Sequence, residues 1–317
     1  MLFRSLVPVE NYLDKGLSYG VNRGRSMPMI ASRGCPYQCT FCSNPQMWGT
    51  RWLARDPIKV IEEIETYIAR YKISNVDFYD LTAIVKKDWI VRFCKELISR
   101  KLQITWQLPS GTRSEAIDAE VSCLLYLSGC RNMNYAPESG SERTLKEIKK
   151  KVKIDRMMDS LRDAVRNGIN VKLNIIIGFP HETHADILKT LLLLLKFSAA
   201  GAHDVSVGVF APYPGSELYD DLVKSGRITH DDEYWQKLAY VDISETVSYS
   251  NHVSAGWLKF YNWAAFAVFY VSNYIFRPLR VVRTLLHLAT NHHESRGEMA
   301  LAALFQRWIF VLTRKPS

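Results

Sequence analysis

The sequence predicts an α/β chain: a partial (β/α)6 TIM-like barrel followed by a helical C-terminal extension. Three observations lead there. Short apolar runs alternate with segments of helical period from Met27 onward, and strict alternation of this kind builds a parallel sheet with helices outside. The unit recurs six times at roughly thirty residues, as a barrel-like sheet requires. Beyond about residue 225 the alternation stops and the chain turns aromatic and basic.

Each element has its own signal. MPMIAS is a short apolar run with turn residues behind it. DPIKVIEEIETYIARY places Ile58, Ile61, Ile64 and Ile68 at helical spacing, with Asp56 as N-cap and Pro57 at the first helical position. NVDFYD reads as a strand and KKDWIVRFCKELISR as a helix. QITWQL is the third strand, and SEAIDAEVSCLLYLSG is a helix that ends at Gly129. RNMNYAPE is the fourth strand, followed by helical SERTLKEIKK and DRMMDSLRDAVRNG. NVKLNIIIGF is a strong strand, ADILKTLLLLLKFSAAG a buried helix and HDVSVGVFAP the sixth strand. The expected divisions are a linker over 1–26, the barrel over 27–225 and the extension over 226–317. Ligands of such sheets bind at the carboxyl ends of the strands.

The chain has 317 residues, 47% of them hydrophobic, enough for one large core or two ordinary domains. MLFRSLVPVENYLDKG lacks the basic, apolar and small-residue order of a secretory signal. Six unevenly spaced cysteines do not make a disulfide framework, which points to a reducing compartment, the cytoplasm. The net charge is +9, and residues 251–317 hold eight Lys and Arg against only Glu294 and Glu298. The basic excess therefore belongs mostly to the tail. Such a tail suits nucleic acid, anionic lipid or an acidic partner.

The chemistry gathers in SRGCPYQCTFCSNP, where Cys35, Cys39 and Cys42 fall within eight residues. Structural zinc needs four ligands, usually in paired sets. Cys94, Cys123 and Cys130 lie in expected helices or just before a strand, where cysteine acts as a small apolar residue. Thiolates also hold iron–sulfur clusters, and a four-iron cluster with three cysteines keeps one iron open for a ligand. The missing fourth ligand is then the functional position.

Cys35-Pro-Tyr-Gln-Cys39-Thr-Phe-Cys42 resembles the C-x3-C-x2-C motif of the radical S-adenosylmethionine (SAM) superfamily. YAPESGSE, IIIGFPHET and APYPGSELYD resemble that family's segments after the fourth, fifth and sixth strands. Together they resemble the branch of cobalamin-dependent methylases and the anaerobic magnesium-protoporphyrin ester cyclase. The resemblance implies a [4Fe-4S] cluster on Cys35, Cys39 and Cys42, with SAM chelating the open iron. It implies reductive cleavage to a 5′-deoxyadenosyl radical that abstracts hydrogen from a substrate. It also implies reduced ferredoxin or flavodoxin as electron donor. The cofactor contacts it suggests are Phe41, Asp80, Glu138, Ser139, Ile176, Gly178 and Pro180. Alternation on a strand allows only one of Ile176 and Ile177 to face the site. Arg113 is either a carboxylate partner or a turn residue, and Glu182 serves the dipole of the next helix. No cobalt-ligand loop occurs before Met27, so cobalamin is not expected on this chain.

The tail carries WLKFYNWAAFAVFYVSNYIFRPLRVVRTLLHLATNHH. Trp257 to Phe276 is nearly as long as a membrane span, but Lys259, Asn262 and Asn273 interrupt it. Arg277, Arg280 and Arg283 follow at helical spacing, which suits peripheral contact of 257–317 with anionic lipid at the inner face of the membrane. The plainer reading is a pair of helices that cover the open side of the barrel and shape the pocket. Nucleic acid is not expected, because methylthiolating relatives use an added β domain for transfer RNA. The substrate is expected to be a small, hydrophobic, lipid-like molecule. The rival reading is a non-catalytic, cluster-binding subunit at a membrane.

Overall fold

The computed structural model describes residues 7–15, 20–238, 246–290 and 292–313. The strands are β1 (Ser26–Met29), β2 (Ser32–Arg33), β3 (Leu53–Ala54), β4 (Asn75–Phe78), β5 (Thr105–Thr112), β6 (Cys130–Glu138), β7 (Asn170–Ile177) and β8 (Asp204–Val209). The helices begin with α1 (Glu10–Leu13), α2 (Asn44–Met47), α3 (Pro57–Tyr71), α4 (Lys87–Ser99), α5 (Ala119–Leu127) and α6 (Glu142–Glu147). They continue with α7 (Ile154–Arg166), α8 (His184–Ala200), α9 (Glu217–Lys224), α10 (Asp232–Gln236), α11 (Ala255–Phe276), α12 (Leu279–Thr290) and α13 (Arg296–Thr313).

Six strands form one parallel sheet in the order β1-β4-β5-β6-β7-β8. These are the six expected strands, and a helix follows each of the first five. β1 and β8 are the edges, so the barrel is open between them. β2 and β3 make a small antiparallel pair above the end of β1. Asp56 caps α3 by accepting from the Ile58 and Lys59 amides. The third expected helix starts late. Residues 114–116 form a single 3-10 turn, and Asp118 takes the Val121 amide and opens α5 at Ala119.

Alternation along the strands separates two environments. Val76, Trp106, Met133, Tyr135, Val171 and Leu173 are fully or nearly fully buried against the helices. The opposite face carries Asn75, Asp77, Gln107, Asn132, Asn134, Asn170, Lys172, Asn174 and Asp204. The barrel interior is thus polar. Its lower end is closed by two segments. Gly20 and Val21 exchange hydrogen bonds with Asp77 and Gln107. The carbonyl of Glu294 accepts from Asn132 and Asn170, and Gly297 donates to Asp204 at 3.0 Å.

α11 covers the open edge. It packs on α8 and β8 through Leu258, Tyr261, Ala265 and Phe269, and Asn262 Nδ2 donates to the Val207 carbonyl at 2.8 Å. Asn273 donates to the Ala202 carbonyl at 2.6 Å. The two asparagines that interrupt the apolar run therefore serve this edge. Two of the three arginines expected at a lipid surface face inward instead. Arg280 donates to the Gly201 and Ala202 carbonyls and Asn273, and Arg277 donates to Ala199. Cations at the C-terminus of α8 meet its free carbonyls and the negative end of its dipole. Arg283 stays exposed. Among the described residues no helix is long and apolar enough to cross a membrane.

Residues on both sides of position 225 share a second small core. Leu222, Ile228 and Tyr234 pack there with Phe179 and Phe210, and Phe41 lies against them. Replacing Asn262 by Ala leaves a buried strand-edge carbonyl without its donor. The expected loss is about 1–3 kcal/mol, read from the midpoint of urea unfolding.

Candidate cofactor site at the strand ends

The loop between β2 and β3 carries the three cysteines. It leaves β2 through Gly34 at φ +74°, where an added Cβ would lie 2.2 Å from the Arg51 carbonyl oxygen. Asp80, at the end of β4, accepts from Ala31 N at 3.0 Å and Ser32 Oγ at 2.5 Å. Trp52 Nε1 donates to the Thr82 carbonyl, and Thr82 Oγ1 lies 3.3 Å from Cys35 Sγ. Thr40 donates to Ile148 and accepts from Leu218, which ties the loop to the end of α6 and the first turn of α9. The Asn44 amide approaches Cys42 Sγ at 3.5 Å. All three cysteines are free and half-buried.

A charged pair sits beneath this loop. Glu138 Oε1 and Lys150 Nζ are 2.8 Å apart and both side chains are buried. Burial pushes the Cys39 and Cys42 thiols up, and the Lys150 ammonium opposes that rise. Burial works to lower the Lys150 ammonium, but Glu138 and Cys39 outweigh it and the net direction is up. A fixed cation beside thiols favours the thiolate that metal binding requires. Glu138 has φ +64° and ends β6 at a register shift. A non-glycine residue is held there only against strain, a pattern that gathers at functional sites. The cap of α6 is Ser141, whose Oγ accepts from Thr144 N at 3.4 Å. Glu138 is therefore free of capping duty.

A cavity of about 340 Å³ opens at these strand ends. Phe41, Cys42, Glu138 and Ile176 lie on its wall. Ile177 is fully buried in the core, so strand alternation selects Ile176. Phe41 packs against Phe179 with ring centres 5.6 Å apart. Four other expected contacts are placed elsewhere. Both oxygens of Asp80 are occupied by the start of the cysteine loop. Ser139 is fully buried against Thr190 and the Ser141 amide. Gly178, at φ +88°, donates its amide to Glu182, and the Pro180 carbonyl accepts from Asn251. None of the four lines the cavity. Arg113 is neither solvated nor free, because it stacks on Tyr37 at 3.8 Å and bonds Glu115 and the Lys151 carbonyl. Among the described residues, none beyond position 225 lines the cavity wall. α11 covers a lateral edge, while Glu294 and Gly297 reach the opposite end of the barrel.

The donor set suits an iron–sulfur cluster. Thr40 Oγ1 and Asn44 Nδ2 are buried beside the cysteines without a partner, and donors so placed fit a bound acceptor. Among the described residues no three His, Cys, Asp or Glu converge on a single-ion position. Each iron of a cluster takes its own thiolate, so that spread is compatible with the cluster. Lys150, Lys172, Asn174 and Ser206 are additional residues at the site that sequence reasoning missed.

The radical SAM superfamily profile matches residues 29–194, more than half of the chain. A protein described as an uncharacterized methyltransferase of Pyrococcus horikoshii is 27% identical over 75% of this chain and 49% of its own length. The anaerobic magnesium-protoporphyrin IX monomethyl ester cyclase of Rubrivivax gelatinosus is 24% identical over 66% of this chain and 37% of its own. The chain thus spans about half, or less, of the length of these relatives. Among solved structures it is similar to TsrM from Kitasatospora setae, a radical SAM methyltransferase with cobalamin and a [4Fe-4S] cluster bound. That likeness has a TM-score of 0.56 and 19% identity, over 68% of this chain and 41% of the other, and it concerns the fold.

The turn after β7 carries a titrating group. Glu182 is fully buried and accepts from Gly178 N at 2.6 Å. Burial pushes its carboxyl up to about 7 from 4.5, against the hydrogen bonds from Gly178 and Phe179. A pKa raised in the folded state means that the folded state holds the proton more tightly. The stability it contributes is full below about 4.5 and is lost as pH rises through about 7. Glu182→Gln keeps an acceptor for Gly178 and removes the titration. The stability–pH profile of the variant, from urea midpoints between about pH 5 and 8, is expected to lose the downward slope that wild type shows there.

Proposed function

The chain belongs to the radical SAM superfamily, and from that premise we propose that it is an enzyme holding a [4Fe-4S] cluster on Cys35, Cys39 and Cys42, with SAM at the open iron. When bound, the pair supplies one-electron cleavage of the sulfonium to a 5′-deoxyadenosyl radical, which takes hydrogen from the substrate. The observation that carries this reading is the meeting of Cys42, Phe41, Glu138 and Ile176 on one cavity at the strand ends.

The chain's own residues orient and exclude. Phe41 and Ile176 offer apolar faces to an adenine. Glu138, its charge balanced by Lys150, offers an acceptor to hydroxyl or ammonium groups. Asp80 and Ser32 hold the start of the cysteine loop. Phe210 and Val209 give the cavity an apolar side, which supports a substrate with an apolar part. Methylation, cyclisation and rearrangement all begin from hydrogen abstraction, and the proposal stops at that class. Hydrogen abstraction of this kind draws on the cluster, SAM and one electron from a donor. Half-buried cysteines suit electron entry from a reduced ferredoxin or flavodoxin, and six free thiols suit a cytoplasmic setting. Peripheral membrane contact rests on α12, where Leu279, Val282, Leu285 and Leu286 are exposed beside Arg283.

The test is anaerobic. Reconstituted, dithionite-reduced protein mixed with SAM is expected to yield 5′-deoxyadenosine on chromatography. Cys39→Ala is expected to lose both the four-iron content and that product. A wild-type cluster that assembles without cleaving SAM would replace the enzyme with a non-catalytic, cluster-binding subunit.

A further inference from the structure

The polar residues inside the barrel fall into two layers. In the lower layer each side chain has a protein partner. Asp77 and Gln107 are bonded by Gly20 and Val21, Asn132 and Asn170 by Glu294, and Asp204 by Tyr270 and Gly297. Lys172 stands at the boundary, lining both the space it shares with Asp204 and Arg296 and the cavity that Cys42 enters, where Asn174 and Ser206 lie. Among the described residues these three side chains have no hydrogen-bond or ion-pair partner. Lys172 stands in register between Asn134 and Asp204. The Asn134 amide is already given to the Pro109 carbonyl, and Asp204 is already bonded from the other side. Burial lowers the Lys172 ammonium; the charge of Asp204 opposes this in part, and the Arg296 guanidinium adds to the lowering. A half-buried ammonium whose neighbouring carboxylate is already bonded elsewhere is stabilised by a bound anion.

We propose that Lys172 anchors an anionic group, a carboxylate or a phosphate, at the end of the substrate that points down the barrel. The inference rests on the cofactor reading above for what occupies the strand ends. Lys172 lies four residues before Ile176 on the same face of β7, about 13 Å along the strand. That separation leaves the strand ends to the cofactor and places the anchor a small molecule's length below. Asn174 and Ser206 stand side by side between the two levels and offer hydrogen bonds to the middle of the substrate. Ala136, Val209 and Phe210 supply the apolar remainder of the wall. The substrate class is therefore an elongated organic anion with an apolar body.

Binding of hexanoate, hexyl phosphate and neutral hexanol to reconstituted, SAM-loaded protein tests this by calorimetry. Wild type is expected to prefer the anions over hexanol, and the tighter of the two assigns carboxylate or phosphate. Lys172→Met is expected to weaken the preferred anion by about tenfold and to leave hexanol unchanged. Lys172→Arg keeps the charge and is expected to keep the preference, which separates a lost anchor from a lost fold. Anion binding equal in wild type and Lys172→Met overturns the proposal, as does a wild type that does not distinguish the anions from hexanol. 5′-Deoxyadenosine formation by wild type is scored in parallel. Its absence sinks the cofactor reading while the anion comparison still decides the anchor, and anion indifference with the product formed sinks the anchor alone.

Discussion

The structure depends on one constraint: a parallel sheet enclosed on both faces, with one of those faces polar. Barrels of this kind ordinarily fill their interior with branched apolar side chains. Here the inward positions hold Asn75, Asp77, Gln107, Asn132, Asn170 and Asp204. Buried polar groups left without partners cost more than the hydrogen bonds contribute. Something must therefore enter the barrel to meet them. At the lower end that is the chain itself, through Gly20, Val21, Glu294 and Gly297. At the upper end no part of the described chain does so, and a cavity of about 340 Å³ remains.

Charge at the top of the barrel follows the same logic. The cysteine loop is half-buried, and burial alone holds thiols neutral. Lys150 counters this, but a buried ammonium needs its own partner, and Glu138 supplies it at 2.8 Å. Glu138 reaches that position only from a left-handed backbone at the end of β6. The strain at Glu138, the buried pair and the state of the cysteines form one arrangement built on three separate segments of the chain. Thr40 joins two of them through Ile148 and Leu218, so the loop cannot shift alone.

Much of this was legible in the sequence, because the signals were periodic or local. Period-two runs such as NVKLNIII marked the strands, and Asp56 with Pro57 marked the start of α3. The three cysteines, Phe41, Glu138 and Ile176 stood out because they follow strands in segments of distinctive composition, and the fold brings Phe41, Cys42, Glu138 and Ile176 to one cavity. Asp80 and Ser139 stand away from the cavity wall, bonded within the chain, for a physical reason. A short polar residue at a strand end serves a turn as readily as a ligand, and only three-dimensional partners tell the two apart. Lys150 was hidden in the lysine run KEIKKK, which reads as a solvated helix end. Lys172 did leave a signal. Asn170, Lys172 and Asn174 alternate with Val171, Leu173 and Ile175, and that alternation alone points a lysine into the barrel.

The tail shows why composition is a weaker guide than partnership. Its aromatic run and its arginines suggest lipid, yet the same residues solve the problem of an open barrel. A parallel sheet that does not close leaves an edge strand, and an exposed edge invites unwanted pairing. α11 meets that edge with a stripe of Leu258, Tyr261, Ala265 and Phe269 and a hydrogen bond from Asn262. Arg277 and Arg280 then bind the exposed carbonyls at the end of α8. Once these residues are accounted for, what remains outward is different in kind. Trp263 is 68% exposed and Leu279 83% exposed, and neither packs into the barrel. Edge closure requires the inner stripe of α11, and it places no demand on the outer one. The apolar character of that outer surface is therefore independent of the fold, which is the condition under which an exposed apolar patch reports on an external surface rather than on the core.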